Sequence, residues 1–579
     1  MNPDEGHSWD SLTADLVERV VSFLHPNEVV CTVKEINKAM ASQFQEKVAI
    51  RLSQPVPHHA FNRHWSRPEA VHNFTRSKRR ELVILTACSG SLANLQVAVK
   101  TAGFQLSWEV FYAATEGGNL EMCQWLQEED CFFFSEKAAA AAARSGHLET
   151  VRWLLQQELY FRELRNAGSH AFMAAAYDGH QFVCEGLLED GIPLEHWMGL
   201  FGAARGGHVG LTHWLLQRFE LEYGSVSRVL WSLMPHIVKE AAHGFDLVAL
   251  QDLHQTFLRY GGDSGNDASR LLTGDTLAEA LVSPTPDWRA KVEWLQAQGC
   301  RLDGDQYFDW DAIASLPDAV ERAQRLLVEV EEEDVVVDIF ISAVRVDSLP
   351  LIRYLRAGRD WLPERTKEAV VKAARAGNMV LLVELVTLGW RLDGWTAQAA
   401  VEGGHLHILK WMGAGVVRKH IQELEQQRRQ AVLSYATSFG SVEVVEWLLN
   451  EVDLPWSGEK LLNAAVTAGS PAVLEWLVAR GVPMGDDGEL YVTAAHCHDL
   501  VILCCLRRLG CPWGPGVFSR AVYDRCHGST VKVLQWLHAE GCPVDWEEAM
   551  SRAKTRKNFC LRDENAVAVH AWIESIAPS

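Results

Sequence analysis

The sequence predicts an all-α fold: an α-solenoid of stacked helix–turn–helix repeats preceded by a small helical N-terminal unit. Three observations carry that expectation. A glycine stands seven residues before a tryptophan again and again: Gly118 before Trp125, Gly146 before Trp153, Gly207 before Trp214, Gly404 before Trp411, Gly440 before Trp447 and Gly469 before Trp476. Small residues come just ahead of the turn, as in Ala142-Ala143, Ala175-Ala176, Ala203-Ala204, Ala373-Ala374 and Ala494-Ala495, so that neighbouring helices can approach closely. After the glycine, Thr150, Val151, Trp153 and Leu154 fall on one face of a second helix.

With 579 residues the chain is too long for one hydrophobic core, which agrees with an extended array. Hydrophobic residues make up 48% and charged residues 22%, the balance of a folded soluble protein. Lys and Arg number 54 against 75 Asp and Glu, a formal net charge of -21. That balance argues against nucleic-acid or anionic-membrane partners, which need a basic face. The start of the chain shows no basic-then-apolar signal pattern, and no apolar run approaches the roughly 20 residues of a membrane span. The 13 cysteines then read as reduced thiols, and the expected location is intracellular, cytoplasmic or nuclear.

Residues 1–50 form the N-terminal unit. Leu12, Leu16, Val20 and Leu24 recur every four residues, with Val17 and Phe23 widening the stripe; His25-Pro26-Asn27-Glu28 then starts a second helix carrying Val29, Val30, Val33 and Ile36. The pattern from Leu12 to Lys38 resembles an F-box. That resemblance implies docking on a Skp-type adaptor of a cullin–RING ubiquitin ligase through Leu12, Leu16, Phe23, Leu24, Pro26 and Val29. The leading Leu-Pro of that family is Leu12-Thr13 here, and its late Trp is absent. The same residues also read as a helical cap over the first repeat.

Residues 51–80 change composition. Pro55, Pro57 and Pro68 break helices, four histidines (His58, His59, His64, His72) lack metal-ligand spacing, and Arg76-Ser77-Lys78-Arg79-Arg80 is a basic run. A surface linker entering a solvated helix is expected there.

Repeats fill residues 81–224 and 346–579, the last unit being a C-terminal cap, and continue in degenerate form through 225–345. In that middle stretch Gly261 to Asp267 reads as a loop, Pro284-Thr285-Pro286 breaks a helix, and Glu329 to Asp334 is acidic. The mean period is about 32 residues, against about 33 for ankyrin repeats. Ala142 to Leu154, with Gly146-His147-Leu148-Glu149 at its centre, looks like the ankyrin repeat, and Ala203 to His208 and Glu402 to Leu406 match it in part. The Thr-Pro-Leu-His of that family is missing, Trp often replaces an aliphatic residue, and several units close with Gly-x-Pro, as in Gly481-Val482-Pro483. Intervals of about 28 residues leave little room for a β-hairpin. The units resemble the short, Trp-rich ankyrin repeats of protist and algal families.

Chemistry is sparse. Phosphate-cradling loops, Gly-x-Ser-x-Gly turns and His-Glu-x-x-His motifs are absent from the sequence. His496-Cys497-His498 with Cys504 and Cys505 falls on the repeat grid and reads as architecture, so no metal and no cofactor is expected. The recurrent histidines His147, His180, His208 and His405 read as local hydrogen-bonding groups of the turn, and the tryptophans as packing against the adjacent unit. By resemblance to ankyrin repeats, the two residues before each turn glycine line a concave face. Here they include Glu116, Arg144, Tyr177, Asp178, Arg205, Arg375, Glu402, Ser438, Phe439, Thr467 and His496. The expected function is a monomeric, non-enzymatic scaffold that binds a partner protein on this face. The alternative is a substrate receptor of a ubiquitin ligase.

Overall fold

The repeat turn follows from one glycine. The chain, seen in a computed structural model that describes residues 13–46, 49–129, 131–157, 161–191, 196–223, 228–264, 271–302, 308–330, 332–424, 426–454, 457–523, 528–559 and 564–577, is helical with no strand among those residues. Gly146 and Gly179 stand at φ +81 and +78, the left-handed region that ends a helix without strain only for glycine. The reversal lets the next residue reach back: His147 N–H donates to Ala142 O at 3.0 Å and His180 N–H to Ala175 O at 2.8 Å. Each turn thereby satisfies carbonyls that a helix end would leave open.

Two compact units result, one of Phe133–Val432 with Trp447–Leu454, the other of Met1–Phe132 with Leu433–Glu446 and Pro455–Ser579. In the first, the helices Ser135–Arg144, Phe161–Tyr177, His196–Arg205, Arg228–Gly244 and Gly274–Leu281 pack side by side in chain order. Ala138, Ala139, Ala142 and Ala143 are fully buried, as are Ala171, Ala175, Ala203 and Ala204, so small side chains set the close spacing of this row. The second helices bury Val151 and Leu154, at roughly 1.5–3 kcal/mol for each such side chain. Trp153 and Trp214 are only half-buried, on the flank rather than in the core. Arg218 lies 5.5 Å over the Trp214 ring, so tryptophan here is covered by a cation one turn on.

The hairpins persist through the irregular stretch 225–345. Gly261 and Gly262, expected in a loop, lie within the helix Leu247–Ser264, whereas Pro284 and Pro286 do separate Gly274–Leu281 from Trp288–Ala297. Where the turn histidine is missing, a buried cation from a later helix replaces it. Lys291 Nζ donates to Ala242 O at 2.7 Å, Phe245 O at 2.7 Å and Ser283 Oγ at 2.6 Å, three acceptors for three ammonium protons. Arg322 likewise donates to Leu281 O at 2.5 Å while its guanidinium lies 4.3 Å over the buried Trp288 ring. The sequence drifts from the repeat pattern, yet the carbonyls it must satisfy stay in place.

The second unit joins the two ends of the chain. Residues 51–80, expected as a surface linker, carry the helix His58–Trp65 and the start of Arg76–Cys88, and bury Phe61, Val71, Thr75 and Arg79. The basic run is not solvated throughout. Arg79 is fully buried against a fully buried Asp499, with Nη1–Oδ1 at 3.1 Å and Nη2–Oδ2 at 2.6 Å; its guanidinium also donates to Ala102 O at 2.5 Å and Gly469 O at 3.1 Å. A charge reads as surface in a sequence, but four acceptors converging on one guanidinium reverse that. Farther along, the Gly-x-Pro closures place Val482, Cys511 and Cys542 in the core after a left-handed glycine, with Cys511 N–H donating to Leu506 O at 3.0 Å. Proline then keeps the helix from resuming.

The N-terminal residues make a core of their own from Val17, Val21, Val29, Val33, Met40 and Phe44, with Leu24 packed against it. The expected stripe is met in part: Val17 lies in the core and Leu24 packs against it, but Val21 takes the inward position and Leu16, Val20 and Phe23 are exposed. Buried Asn27 ties this core to the chain beyond, donating to Arg51 O at 2.8 Å and Pro55 O at 3.1 Å and accepting from Arg51 N–H at 2.9 Å.

Candidate protein-binding site

The histidine after the turn glycine anchors the backbone of the preceding hairpin. Nε2 of His180 donates to Arg144 O at 2.8 Å, that of His208 to Tyr177 O at 3.0 Å, and that of His405 to Arg375 O at 2.9 Å. A carbonyl only accepts, so Nε2 carries the proton in all three. These carbonyls belong to Arg144, Tyr177 and Arg375, three residues of the expected binding face. The same contact explains Gly179 twice over, because a Cβ there would sit 2.5 Å from the His208 ring.

In the unit containing residues 133–432, these side chains pair from hairpin to hairpin. Arg144 Nε lies 3.7 Å from Asp178 Oδ2, and Arg375 Nη2 lies 2.7 Å from Glu402 Oε2. Arg205 Nη1 meets Glu240 at 2.7 Å and Glu279 at 3.0 Å, and His243 Nδ1 lies 3.2 Å from Glu279. Burial opposes ionisation of Glu279, but His243 and Arg205 outweigh it and hold the carboxyl below its usual range. Arg205 is likewise disfavoured by burial, and the Glu240 and Glu279 carboxylates more than restore its charge. Arg205 and Glu402 are thus half-buried and satisfied internally. Arg144, 63% exposed, and Tyr177, 41% exposed, remain open with Asp178 and Arg375.

Sequence reasoning stopped at the residues beside the glycine and missed the next row. One helical turn earlier stand Ala140, Met173, Phe201 and His236, each four residues before Arg144, Tyr177, Arg205 and Glu240. Met173 and His236 are exposed, Ala140 and Phe201 half-buried, and the Phe201 and His236 rings lie 6.0 Å apart. The four-residue period of a helix was the signal available to find them. Ala140, Met173 and Phe201 thus give three successive first helices an apolar position beside the charged turn residues, and His236 holds that position on the fourth.

The other unit uses its turn residues differently. Glu116 and Ser438 are exposed. Phe439 is half-buried with Lys78 Nζ 5.1 Å over its ring, and Thr467 O accepts from Arg76 Nη2 at 2.7 Å. His496 Nε2 donates to Arg520 O at 3.0 Å. The edge formed by Phe439, Thr467 and Gly469 is occupied by the chain's own helix Arg76–Cys88.

Among the described residues no group of three or more His, Cys, Asp or Glu is placed to hold a metal, and no helix is long and apolar enough to cross a membrane. Burial pushes the Cys505 thiol up to about 11 and Cys123 to about 12, so neither is an activated nucleophile. Of the adaptor-docking set, Phe23 is 83% exposed and Leu16 exposed, Leu24 is part-buried, Pro26 opens a helical stretch, and Val29 is fully buried in the local core; Leu12 lies outside the described residues.

Residues 110–196 match the family model of ankyrin repeats in three copies. No curated protein matches the chain. A solved structure, the pentatricopeptide repeat protein PPR10 from maize, aligns over 98% of this chain and 99% of its own at 10% identity and a TM-score of 0.21, a likeness too low to carry weight. The match to the ankyrin-repeat model covers residues 110–196, and helical hairpins occur on both sides of that stretch.

Proposed function

We propose that the protein is a non-enzymatic scaffold that captures a partner protein on the first-helix face of residues 135–240. The observation that carries this reading is the two-row surface itself: Met173, Tyr177 and Phe201 in a strip, with Arg144 and Asp178 at its edge, on helices held rigid by buried alanines and histidine-capped turns. Aromatic residues and arginine carry most of the energy in protein interfaces, and a preformed surface loses little entropy on binding. Ankyrin repeats in residues 110–196 point the same way. The test is replacement of Arg144, Tyr177 and Met173 together by Glu, Ala and Ser. Helix content should be unchanged and partner capture from the native cell lost; unaltered capture would remove the site. Arg205 is left intact because its carboxylate network is structural.

A second reading is favoured by one feature: Leu16, Val20 and Phe23 are exposed on a small helical unit that already has a core. Under this reading the row docks a Skp-type adaptor and the repeats receive a substrate for ubiquitination. Co-purification of such an adaptor with the full chain, lost in Leu16→Glu with Phe23→Glu, would support it, and no adaptor binding by the unaltered chain would end it.

A further inference from the structure

A cleft of about 540 Å³ lies where two neighbouring first helices begin, between Trp310–Ser315 and Glu333–Arg345. Phe308, Trp310, Val335 and Ile341 line it, and the Phe308 ring stacks on that of Trp310 with centroids 4.7 Å apart. The rest of the lining is one-sided in charge. Arg345 is engaged by Asp311, and Arg365, outside the lining, pairs with Asp334. Asp309, Glu332 and Asp338 are exposed and make no ion pair among the described residues. The adjoining sequence supplies no base either, since no Lys, Arg or His stands between Arg301 and Arg322 or between Arg325 and Arg345. Helix starts favour acids, and that accounts for part of the set: Asp309 caps its helix by accepting from Ala312 N–H at 3.0 Å, and Asp311 and Asp334 lie in first turns. It does not account for Glu332, whose side chain makes no cap bond, or for Asp338, which stands a turn further on. Asp338 is four residues from Asp334, and like charges at that spacing destabilise a helix. An apolar cleft with surplus carboxylates at its rim is complementary to cations carried beside hydrocarbon.

We propose that this cleft docks a basic segment of a partner protein, one in which arginine alternates with aliphatic residues. Its guanidinium groups meet Asp309, Glu332 and Asp338, and the half-buried Trp310 ring offers one of them a surface to stack on. The aliphatic side chains between them rest on Val335 and Ile341. A protein segment fits better than a small polycation because the apolar lining is matched by side chains that carry no charge of their own. The cleft shares no residue with the surface proposed at 135–240, so the two stand or fall separately.

The experiment uses the full chain and a fluorescent peptide, Arg-Leu-Arg-Leu-Arg, read by fluorescence anisotropy at about 0.15 M salt. A peptide with citrulline in place of arginine is the uncharged match, and spermine is the competitor without apolar side chains. The citrulline peptide should bind at least about tenfold more weakly than the arginine peptide, and spermine should displace the latter only at about ten times the concentration that unlabelled arginine peptide requires. Glu332→Gln with Asp338→Asn should weaken the arginine peptide about tenfold. Glu189→Gln with Asp252→Asn removes the same charge from exposed positions on two second helices of the same unit, and should leave binding within about twofold. The variant of Arg144, Tyr177 and Met173 should bind the peptide as the unaltered chain does. The proposal is overturned by no binding of the arginine peptide, by equal binding of the citrulline peptide, by equal displacement with spermine, by equal losses in the two double variants, or by loss in the triple variant. The peptide and spermine comparisons need only the unaltered chain, so they stand even if a variant folds poorly.

Discussion

Replacing Arg79 by methionine tests how the ends of the chain are held together. The substitution keeps most of the side-chain volume and removes the guanidinium from a fully buried Asp499. That carboxylate keeps an N–H from Ile502 at 3.2 Å, and the carbonyls of Ala102 and Gly469 each lose a charged donor. Breaking a buried pair from one side typically costs about 3–5 kcal/mol, most of it the penalty of an uncompensated buried charge. A repeat protein of this size need not unfold in one step, so a local readout is required. Hydrogen exchange of peptides from Arg76–Cys88 and Leu500–Arg508 should accelerate by two to four orders of magnitude, on the order of a thousandfold, since about 1.4 kcal/mol is a factor of ten. Peptides from residues 161–205 should exchange as before. In Arg79→Met with Asp499→Leu, both charges are gone and protection should return to within about tenfold of the original. Unchanged exchange in Arg79→Met alone, or a double variant no better than the single, would refute the reasoning.

Three further outcomes follow from the same geometry. Gly179→Ala should lower the melting temperature more than Gly191→Ala, because both glycines have positive φ (+78 and +65) but only the first would press a Cβ into a ring, that of His208; equal effects would mean that the ring contact is unimportant. His208→Ala should be destabilising by about 1–2 kcal/mol through the loss of the bond to Tyr177 O, and Tyr177 should become more mobile by NMR, whereas an unchanged tyrosine signal would separate the cap from the site. Burial lowers Lys291 to about 8, below the value of an unfolded lysine, so the unfolded state binds more protons between about pH 8 and 10.5 and stability contributed by this group rises with pH across that window. The gain is at most about 3 kcal/mol. Lys291→Met should flatten that part of the pH–stability curve, and an identical curve in both proteins would contradict the assignment.

The fold was legible because its determinants are local and repeated. Gly146, the alanines before it and Val151 and Leu154 after it each do one job at one spacing, and His180, His208 and His405 do bond a turn carbonyl, although that of the preceding hairpin rather than a local one. What was not legible depends on residues far apart in the chain. Nothing near Arg79 announces Asp499, and polarity alone placed that helix in solvent. The irregular stretch looked degenerate because Lys291 and Arg322 reach their carbonyls from later positions than a turn histidine would. Of the candidate site, Arg144 and Tyr177 were accessible to pattern because they sit beside a glycine. Met173 and Phe201 required a second periodicity, that of the helix, laid over the first. The N-terminal stripe was legible only in part, since Leu16, Val17, Val20 and Val21 are all apolar and only packing selects Val17 and Val21.

The central claim is that residues 135–240 present a protein-binding surface. The most direct measurement is the affinity of a captured partner for the full chain and for the Arg144→Glu, Tyr177→Ala, Met173→Ser variant, by calorimetry, with circular dichroism recorded on both. The account predicts a loss of at least about 3 kcal/mol, over a hundredfold in Kd, at constant helix content. A partner that binds both proteins alike would contradict it.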